Sequence, residues 1–427
     1  MPLETIPDRL KSDHLFLLVG GNPLPNAVAG KLLLREGGTI VLVHSNDTAA
    51  VAGRLAAWLE MQGVQHISYA PVPEADALKI RNGVREKMPG DSQKSVGLHY
   101  TGGTKAMAVH AYRAVADWAK EQKSTPVYSY LDARTLRLCF DNGISRYVGN
   151  SVSVKLAQLL TLHNWELGQA LTHNPMPETT QAIMNHWQAF NFVKPDNFNQ
   201  SAFGKWQQHV NSRCILNRKP KSEEELQKTE LKMPDADILA ALNESLCKDL
   251  GLEPTVRVFP LAKGKEVGFQ QLRSFAQFFD SGWFEFHVLN TLEQIKENLG
   301  LTAIFANVVA SHKEAKSSQQ TELDVVVIRG YQLFLFSCSV ANPEAAGNRS
   351  LLKHKLFEAY IRAKQLGGDE ACAALVCFAD DPGDLEEEIK LSIGTSSGQI
   401  KVFGKNYLSC LSAEITGWMK KQIGKEG

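Results

Sequence analysis

The chain has 427 residues, with 46 Lys+Arg balanced by 46 Asp+Glu and 44% hydrophobic residues. Such a length excludes a single small domain and points to two to four, with enough apolar material to fill their cores. Zero net charge excludes a globally basic nucleic-acid coat, so any recognition of anions must rest on local patches.

The first apolar run, His14 to Val19, reads as a buried strand that ends at Gly20-Gly21-Asn22-Pro23. A helix over 26–35 follows, then a second strand, Thr39 to His44, ending at Ser45-Asn46-Asp47. Residues 48–62 carry apolar side chains at helical spacing, 67–70 form a third strand, 75–87 a helix, and 95–100 a fourth strand. A helix over 104–120 and a hairpin over 126–132 and 135–140 complete the segment. Strands alternating with helices imply right-handed crossovers and a mostly parallel, doubly wound sheet over residues 1–150.

Residues 152–170 read as helical, and 151–274 as a connecting, largely helical region. Its stretch 218–230 is polar and reads as a solvated face. From 275 the pattern sharpens into a helix over 282–299 and a strand over 303–311. The strands 322–329 and 332–340 are joined so tightly by Gly330-Tyr331 that they form an antiparallel hairpin. A helix over 350–366 stops at Gly367-Gly368, and a strand over 373–378 follows, so 275–427 reads as a second α/β domain. The seven Cys include no CxxC pair and read as reduced, core-filling thiols. No basic-then-apolar leader opens the chain and no window reaches the ~18 apolar residues of a membrane span. A cytoplasmic protein without a membrane partner is expected.

The segment His99-Tyr100-Thr101-Gly102-Gly103-Thr104-Lys105 leaves a strand and opens a helix, where backbone N–H groups and the helix dipole meet anions. Gly102 and Gly103 allow close backbone approach, Thr101 and Thr104 bring hydroxyls, and Lys105 a cation. Neither GxxxxGK[ST] nor GxGxxG is present, which argues against a P-loop ATPase and a dinucleotide enzyme. An ordinary glycine turn with a solvated lysine is the plainer alternative. Gly21, Asn22, Ser45 and Asn46 lie at the same edge of the sheet, the position at which open α/β sheets bind ligands, and together with the glycine loop they suggest a phosphorylated ligand. His99 at the strand end reads as a satisfied histidine rather than a ligand contact.

HYTGGTKAM, the following helix, YSYLDART and VSVKLAQLLTLHNW resemble the CARF domain, the cyclic-oligoadenylate sensor of type III CRISPR systems. That resemblance, over about residues 14–165, implies a homodimer holding cyclic tetra-adenylate as activator across its two-fold axis through residues 101–105, Gly21-Asn22 and Ser45-Asn46.

Farther on, Glu322-Leu323-Asp324 opens a strand whose alternation puts both carboxylates on one face, a donor pair for a hard divalent cation. Glu285, on the preceding helix, adds a third carboxylate. SGWFEFHV, ELDVVVIRGYQLFLF and KLFEAYIRAKQLGG resemble the PD-(D/E)xK nuclease domain of the Can/Card CRISPR ancillary nucleases. The resemblance implies Mg2+ or Mn2+ at Glu322 and Asp324, single-stranded nucleic acid as substrate, and a restriction-endonuclease-like fold. In this sequence Ser337 and Ser339 stand where the family carries a glutamate and a lysine, and Lys355 or Lys353 on the next helix is the expected replacement cation. Two other functions stay open: a sensor whose nuclease site has decayed, and metal-free cleavage of the bound ring near Thr104 and Lys105. The spacing of Arg349 and His354 also fits the R-x4-H of all-helical HEPN ribonucleases, although strands flank it here.

Overall fold

The computed structural model describes residues 5–91, 93–193, 197–216, 219–314, 320–341, 347–395 and 398–423. Parts of the polar stretch at 218–230 and of the turn before Thr321 lie outside them.

The first half alternates as expected. Strands β1 (Ser12–Leu18), β2 (Leu34–His44), β3 (His66–Pro71), β4 (Val96–His99) and β5 (Val127–Asp132) are separated by helices α1 (Leu24–Leu33), α2 (Ala49–Met61), α3 (Ala77–Arg85) and α4 (Lys105–Gln122). Strands β6 (Arg137–Phe140) and β7 (Ser145–Tyr147) close the sheet, whose order is β3-β2-β1-β4-β5-β6-β7. The first five pair in parallel and the last two antiparallel. The chain runs outward from β1 through β2 to β3, then returns to place β4 on the other side of β1. The topological switch point therefore lies between β1 and β4.

Strand alternation sends β1 side chains to two cores. Phe16 and Leu18 pack with Val41, Val43, Ile80, Met107 and Trp118 under α3 and α4. Leu15 and Leu17 face α1 and α2, in a cluster that continues without a break into the second sheet.

That second sheet has six strands: β8 (Trp165–Leu171), β13 (Ala303–His312), β14 (Gln320–Arg329), β15 (Gln332–Ser339), β16 (Cys372–Cys377) and β17 (Ile400–Phe403), in the order β17-β16-β15-β14-β13-β8. The gap in numbering is filled by two small ribbons, β9 (Ile215–Leu216) with β10 (Lys219–Pro220), and β11 (Glu230–Lys232) with β12 (Val258–Pro260). Residues 152–170, read from sequence as helical, instead form α5 (Leu156–Leu162) and then β8, which pairs antiparallel with β13. Asn164, at φ +68, takes the left-handed turn that stops the helix. The middle of the chain therefore contributes an edge strand to the second sheet.

Helices α6 (Pro177–Ala189), α7 (Ala202–Cys214), α8 (Glu223–Gln227), α9 (Ala240–Leu250), α10 (Lys263–Glu266) and α11 (Leu272–Gln277) follow β8. With α12 (Trp283–Leu299) and α16 (Leu411–Ile423), several of them cover one face of the sheet, burying Phe275, Phe278, Phe279, Trp283 and Phe284 with Val325, Phe334 and Phe336. The other face carries α13 (Asn348–Gly367), whose Ala359, Ala363 and Leu366 join the cluster shared with the first half. Helices α14 (Pro382–Ile393) and α15 (Lys405–Leu408) complete the chain. Side chains of both halves, each of the larger ones contributing about 1.5–3 kcal/mol on full burial, thus lie in one core. The architecture is a Rossmann-like domain followed by a restriction-endonuclease-like α/β domain.

Candidate functional sites in the two halves

At the switch point the loop after β1 and the loop after β4 are pressed backbone to backbone. A Cβ on Gly20 would lie 2.9 Å from Gly103 N, and one on Gly102 would lie 2.2 Å from Leu18 O and 2.8 Å from Gly20 N. Gly103 has φ +75, a left-handed conformation that costs glycine little. Thr104 caps α4, its hydroxyl accepting from Met107 N at 3.1 Å and donating to Glu74 O at 2.7 Å. Among the described residues no hydrogen bond engages the backbone N–H groups of Gly102, Gly103 or Lys105. They sit with the exposed Lys105 at the N-terminus of an 18-residue helix, an arrangement suited to anions.

The residues named from sequence divide into distinct roles. Gly21, Asn46, Gly103 and Lys105 are exposed at the mouth, and Gly102 packs beneath them. Thr101 turns inward: its hydroxyl accepts from Leu131 N at 2.7 Å and hydrogen-bonds with His99 Nε2 at 2.9 Å. His99 in turn lies 3.1 Å from Ser129 Oγ, and full burial pushes its pKa down to about 3. It is a satisfied structural histidine. Ser45 is buried and donates to Glu74 Oε1 at 3.0 Å. Glu74, which no sequence signal marks, therefore ties the loops after β2, β3 and β4 together. Asn22 departs most from expectation, since its side chain faces the second half of the molecule instead of the mouth, donating from Nδ2 to Glu370 Oε2 at 3.0 Å.

In the second half, Glu285, Glu322 and Asp324 line a cavity of about 260 Å3. Glu285 is carried on the first turn of α12, directly after a π-helical turn, Phe278–Gly282, whose Asp280, Ser281 and Gly282 also line the cavity. Such turns re-aim side chains within a helix. Burial, helped by the nearby Asp324 and Glu322 charges and opposed by Lys355, holds the Glu285 carboxyl well above the usual carboxylate range.

Asp324 sits just past the Val325–Phe336 rung that ends the β14–β15 ladder. There its Oδ2 accepts from Ser337 Oγ at 3.0 Å and from Cys338 N at 2.6 Å. Ser337 thus orients the aspartate and supplies no charge. Ser339 is buried and accepts from Ala341 N at 3.4 Å. Lys355 donates to Cys338 O at 2.9 Å and lines a smaller space, about 100 Å3, with Glu322, Asp324 and Ser337.

Of the two lysines named from sequence, Lys353 pairs with Glu388 on α14, which Arg349 also holds at 2.6 Å, and Lys355 lies beside the carboxylates. The same contact ties down the arginine of the Arg349/His354 pair, and His354 is exposed on α13. Sequence reasoning also missed Arg273, which lies 3.9 Å from Glu322 Oε1 and lines both the carboxylate cavity and an open groove with Lys221 and Lys265. Asn211, Cys214 and Gln169 of the middle region complete the cavity wall.

Among the described residues no three His, Cys, Asp or Glu side chains converge tightly enough to hold a metal by themselves. The donors present are nevertheless the hard oxygens a divalent cation prefers, and Mg2+ commonly uses one or two carboxylates with the rest of its shell from water and substrate. Glu285, whose carboxyl is pushed up by burial and by its acidic neighbours, is a group whose charged form such a cation would favour. The residues fit a cation held by Asp324 and Glu322.

Neither a family model nor a curated protein matches the chain by sequence. Among solved structures, protein VC1899 from Vibrio cholerae superposes with a TM-score of 0.68 at 15% identity, covering 97% of this chain and all of that one. Can2 from Sulfobacillus thermosulfidooxidans, solved in complex with cyclic tetra-adenylate, superposes with 0.62 at 17% identity, covering 96% and 99%. This chain has their fold. The likeness spans both halves in one order, so the Rossmann-like and restriction-endonuclease-like parts are matched together, as the resemblance implied. Among the described residues no helix is long and apolar enough to cross a membrane.

Proposed function

We propose that the protein is a homodimeric effector of type III CRISPR antiviral defence. Cyclic tetra-adenylate at the β1/β4 switch point activates a metal-dependent nuclease site for single-stranded DNA or RNA in the second half. The observation that carries the reading is the meeting of Glu285, Asp324, Glu322 and Lys355 from three elements at adjoining cavities. A carboxyl perturbed by burial and by specific charged neighbours in a cleft is the pattern of a functional site.

In the sensor half, the free N–H groups of residues 102–105 and the Lys105 ammonium bind phosphate, and Asn46 and Gly21 border the same mouth. Thr101, Ser45 and Thr104 shape that mouth through internal bonds. In the nuclease half, Asp324 and Glu322 hold Mg2+ or Mn2+, which when bound lowers the pKa of water and neutralises charge on the scissile phosphate. Ser337 and Cys338 N fix the aspartate, and Lys355 offsets negative charge beside it. Arg273 and the lysines of the open groove meet the backbone of the substrate strand. A ligand activates such a protein only by binding its two states differently.

A degenerate sensor is the second reading, favoured by the lack, among the described residues, of a compact three-ligand metal cluster and by Ser337 and Ser339. Cleavage of the bound ring has less support, since the Thr104 hydroxyl is already engaged on both sides. Incubation with labelled single-stranded DNA and RNA, with and without cyclic tetra-adenylate and Mn2+, separates them. Strand cleavage requiring both supports the nuclease, nucleotide binding without cleavage supports the sensor, and loss of the ring in EDTA supports the third.

A further inference from the structure

Asn22 lies in the loop that packs on the glycine loop, yet its side chain is committed to the other half of the molecule. Its Oδ1 accepts from Leu24 N at 3.1 Å and lies 3.4 Å from His163 Nε2, while Nδ2 donates to Glu370 Oε2. The turn that receives it is shaped for a close approach. Gly368 has φ +69, and a Cβ there would lie 2.5 Å from Asn22 Oδ1. Glu370 is fully buried, and its Oε1 has no hydrogen-bond partner among the described residues. A buried carboxyl with one oxygen unpaired is costly unless the remaining contact is held in place.

Two rigid elements lead from this turn to the carboxylate cavity. Helix α13 ends at Gly367 and carries Lys355 twelve residues earlier, about 18 Å along its axis. Strand β15 begins at Gln332, whose Nε2 donates to Glu370 O at 3.0 Å, and near its other end carries Ser337 and Cys338, which hold Asp324. Lys355 and Cys338 O are bonded to each other, so the two arms converge.

We propose that Asn22 and Glu370 are positioning residues that couple the glycine loop to the second half: displacement at Gly20–Gly103 reaches α13 and β15 through the Asn22–Glu370 hydrogen bond and resets Lys355 against Asp324. The inference rests on the reading of the glycine loop as a ligand site, but its mechanical core does not. Contacts alone do not establish coupling, whereas a response abolished by removing the bond does.

The test uses hydrogen exchange of peptides covering 332–339 and 348–371 in the full chain. Gly20→Ala forces the two loops apart without ligand. Exchange in those peptides should rise about tenfold, within the usual range of coupling between sites, and the rise should disappear when Asn22→Ala or Glu370→Ala is added. Glu370→Gln keeps an oxygen for Asn22 Nδ2 and should preserve the response, whereas Glu370→Leu, of similar volume but with no acceptor, should abolish it, which a purely space-filling role does not predict. The same peptides are followed on adding cyclic tetra-adenylate. Failure of the wild type to bind the nucleotide would defeat the proposed function while leaving the Gly20→Ala comparison decisive. A Gly20→Ala response unchanged by both Asn22→Ala and Glu370→Ala overturns the coupling.

Discussion

At the scale of single residues, Lys355 and Lys353 show how two positions along one helix point to opposite sides. Lys355 reaches Cys338 O beside Asp324, and Lys353 is held by Glu388. Lys355→Ala should therefore slow cleavage by roughly ten- to a hundredfold, the cost of losing a charge near the reacting phosphate, while Lys353→Ala leaves the rate within about twofold of wild type. Single-turnover rates measure both. Glu370 makes a prediction about stability. Burial raises its pKa from 4.5 to about 7. Between those values the folded chain holds a proton that the unfolded chain has released, so stability is greatest below the lower value and falls as pH rises toward the upper one. The fall is about 3 kcal/mol for a shift of this size. Unfolding free energies from urea titrations of wild type minus those of Glu370→Gln, taken at about pH 5 and pH 7.5, should show most of that difference. A difference independent of pH would contradict the burial of an acid that keeps its proton. Sequence reasoning could see the carboxylates at 285, 322 and 324, but not Glu370, because nothing local marks an acid whose burial is created by a partner loop 348 residues away.

At the scale of elements, the glycine loop works through backbone geometry. Gly102→Ala would place a methyl carbon 2.2 Å from Leu18 O, an atom of the buried central strand that has no room to yield. A destabilisation of about 1–3 kcal/mol is expected, with loss of nucleotide binding, read by thermal denaturation and calorimetry. Lys105→Ala should fold normally and weaken the nucleotide about ten- to a hundredfold, the range for a charge-assisted hydrogen bond. The strands of both sheets were legible because apolar runs between Gly, Asn and Pro leave few alternatives, and the hairpin at Gly330 was fixed by its short connection. The edge strand Trp165–Leu171 was missed because its apolar residues follow α5 at helical spacing, and the break is made by Asn164 and by pairing with β13, a partner about 140 residues away. Of the residues chosen at the glycine loop, the types were informative but the directions were not. Thr101, Thr104 and Ser45 spend their hydroxyls on His99, Glu74 and Leu131, and Asn22 points across the domain boundary.

At the scale of the whole molecule, the two sheets share one apolar cluster that runs from Leu15 and Leu17 to Leu333 and Leu335, so the halves meet across a packed surface rather than through a flexible linker. Packed interiors respond in discrete rearrangements, which suits transmission from one half to the other. The middle region, the least readable from sequence, supplies Arg273, Asn211 and Cys214 to the carboxylate cavity and packs with the second half of the molecule. The central claim is that nucleotide bound in one half licenses metal-dependent chemistry at Asp324 in the other. Its most direct test is cleavage of labelled single-stranded DNA and RNA by wild type and Asp324→Asn, with and without cyclic tetra-adenylate and Mn2+. The account predicts cleavage by wild type only when nucleotide and metal are both present. It also predicts at least about a hundredfold loss in Asp324→Asn, with nucleotide affinity unchanged. Cleavage that persists in Asp324→Asn, or a wild type that binds the nucleotide and cuts neither strand, would contradict it.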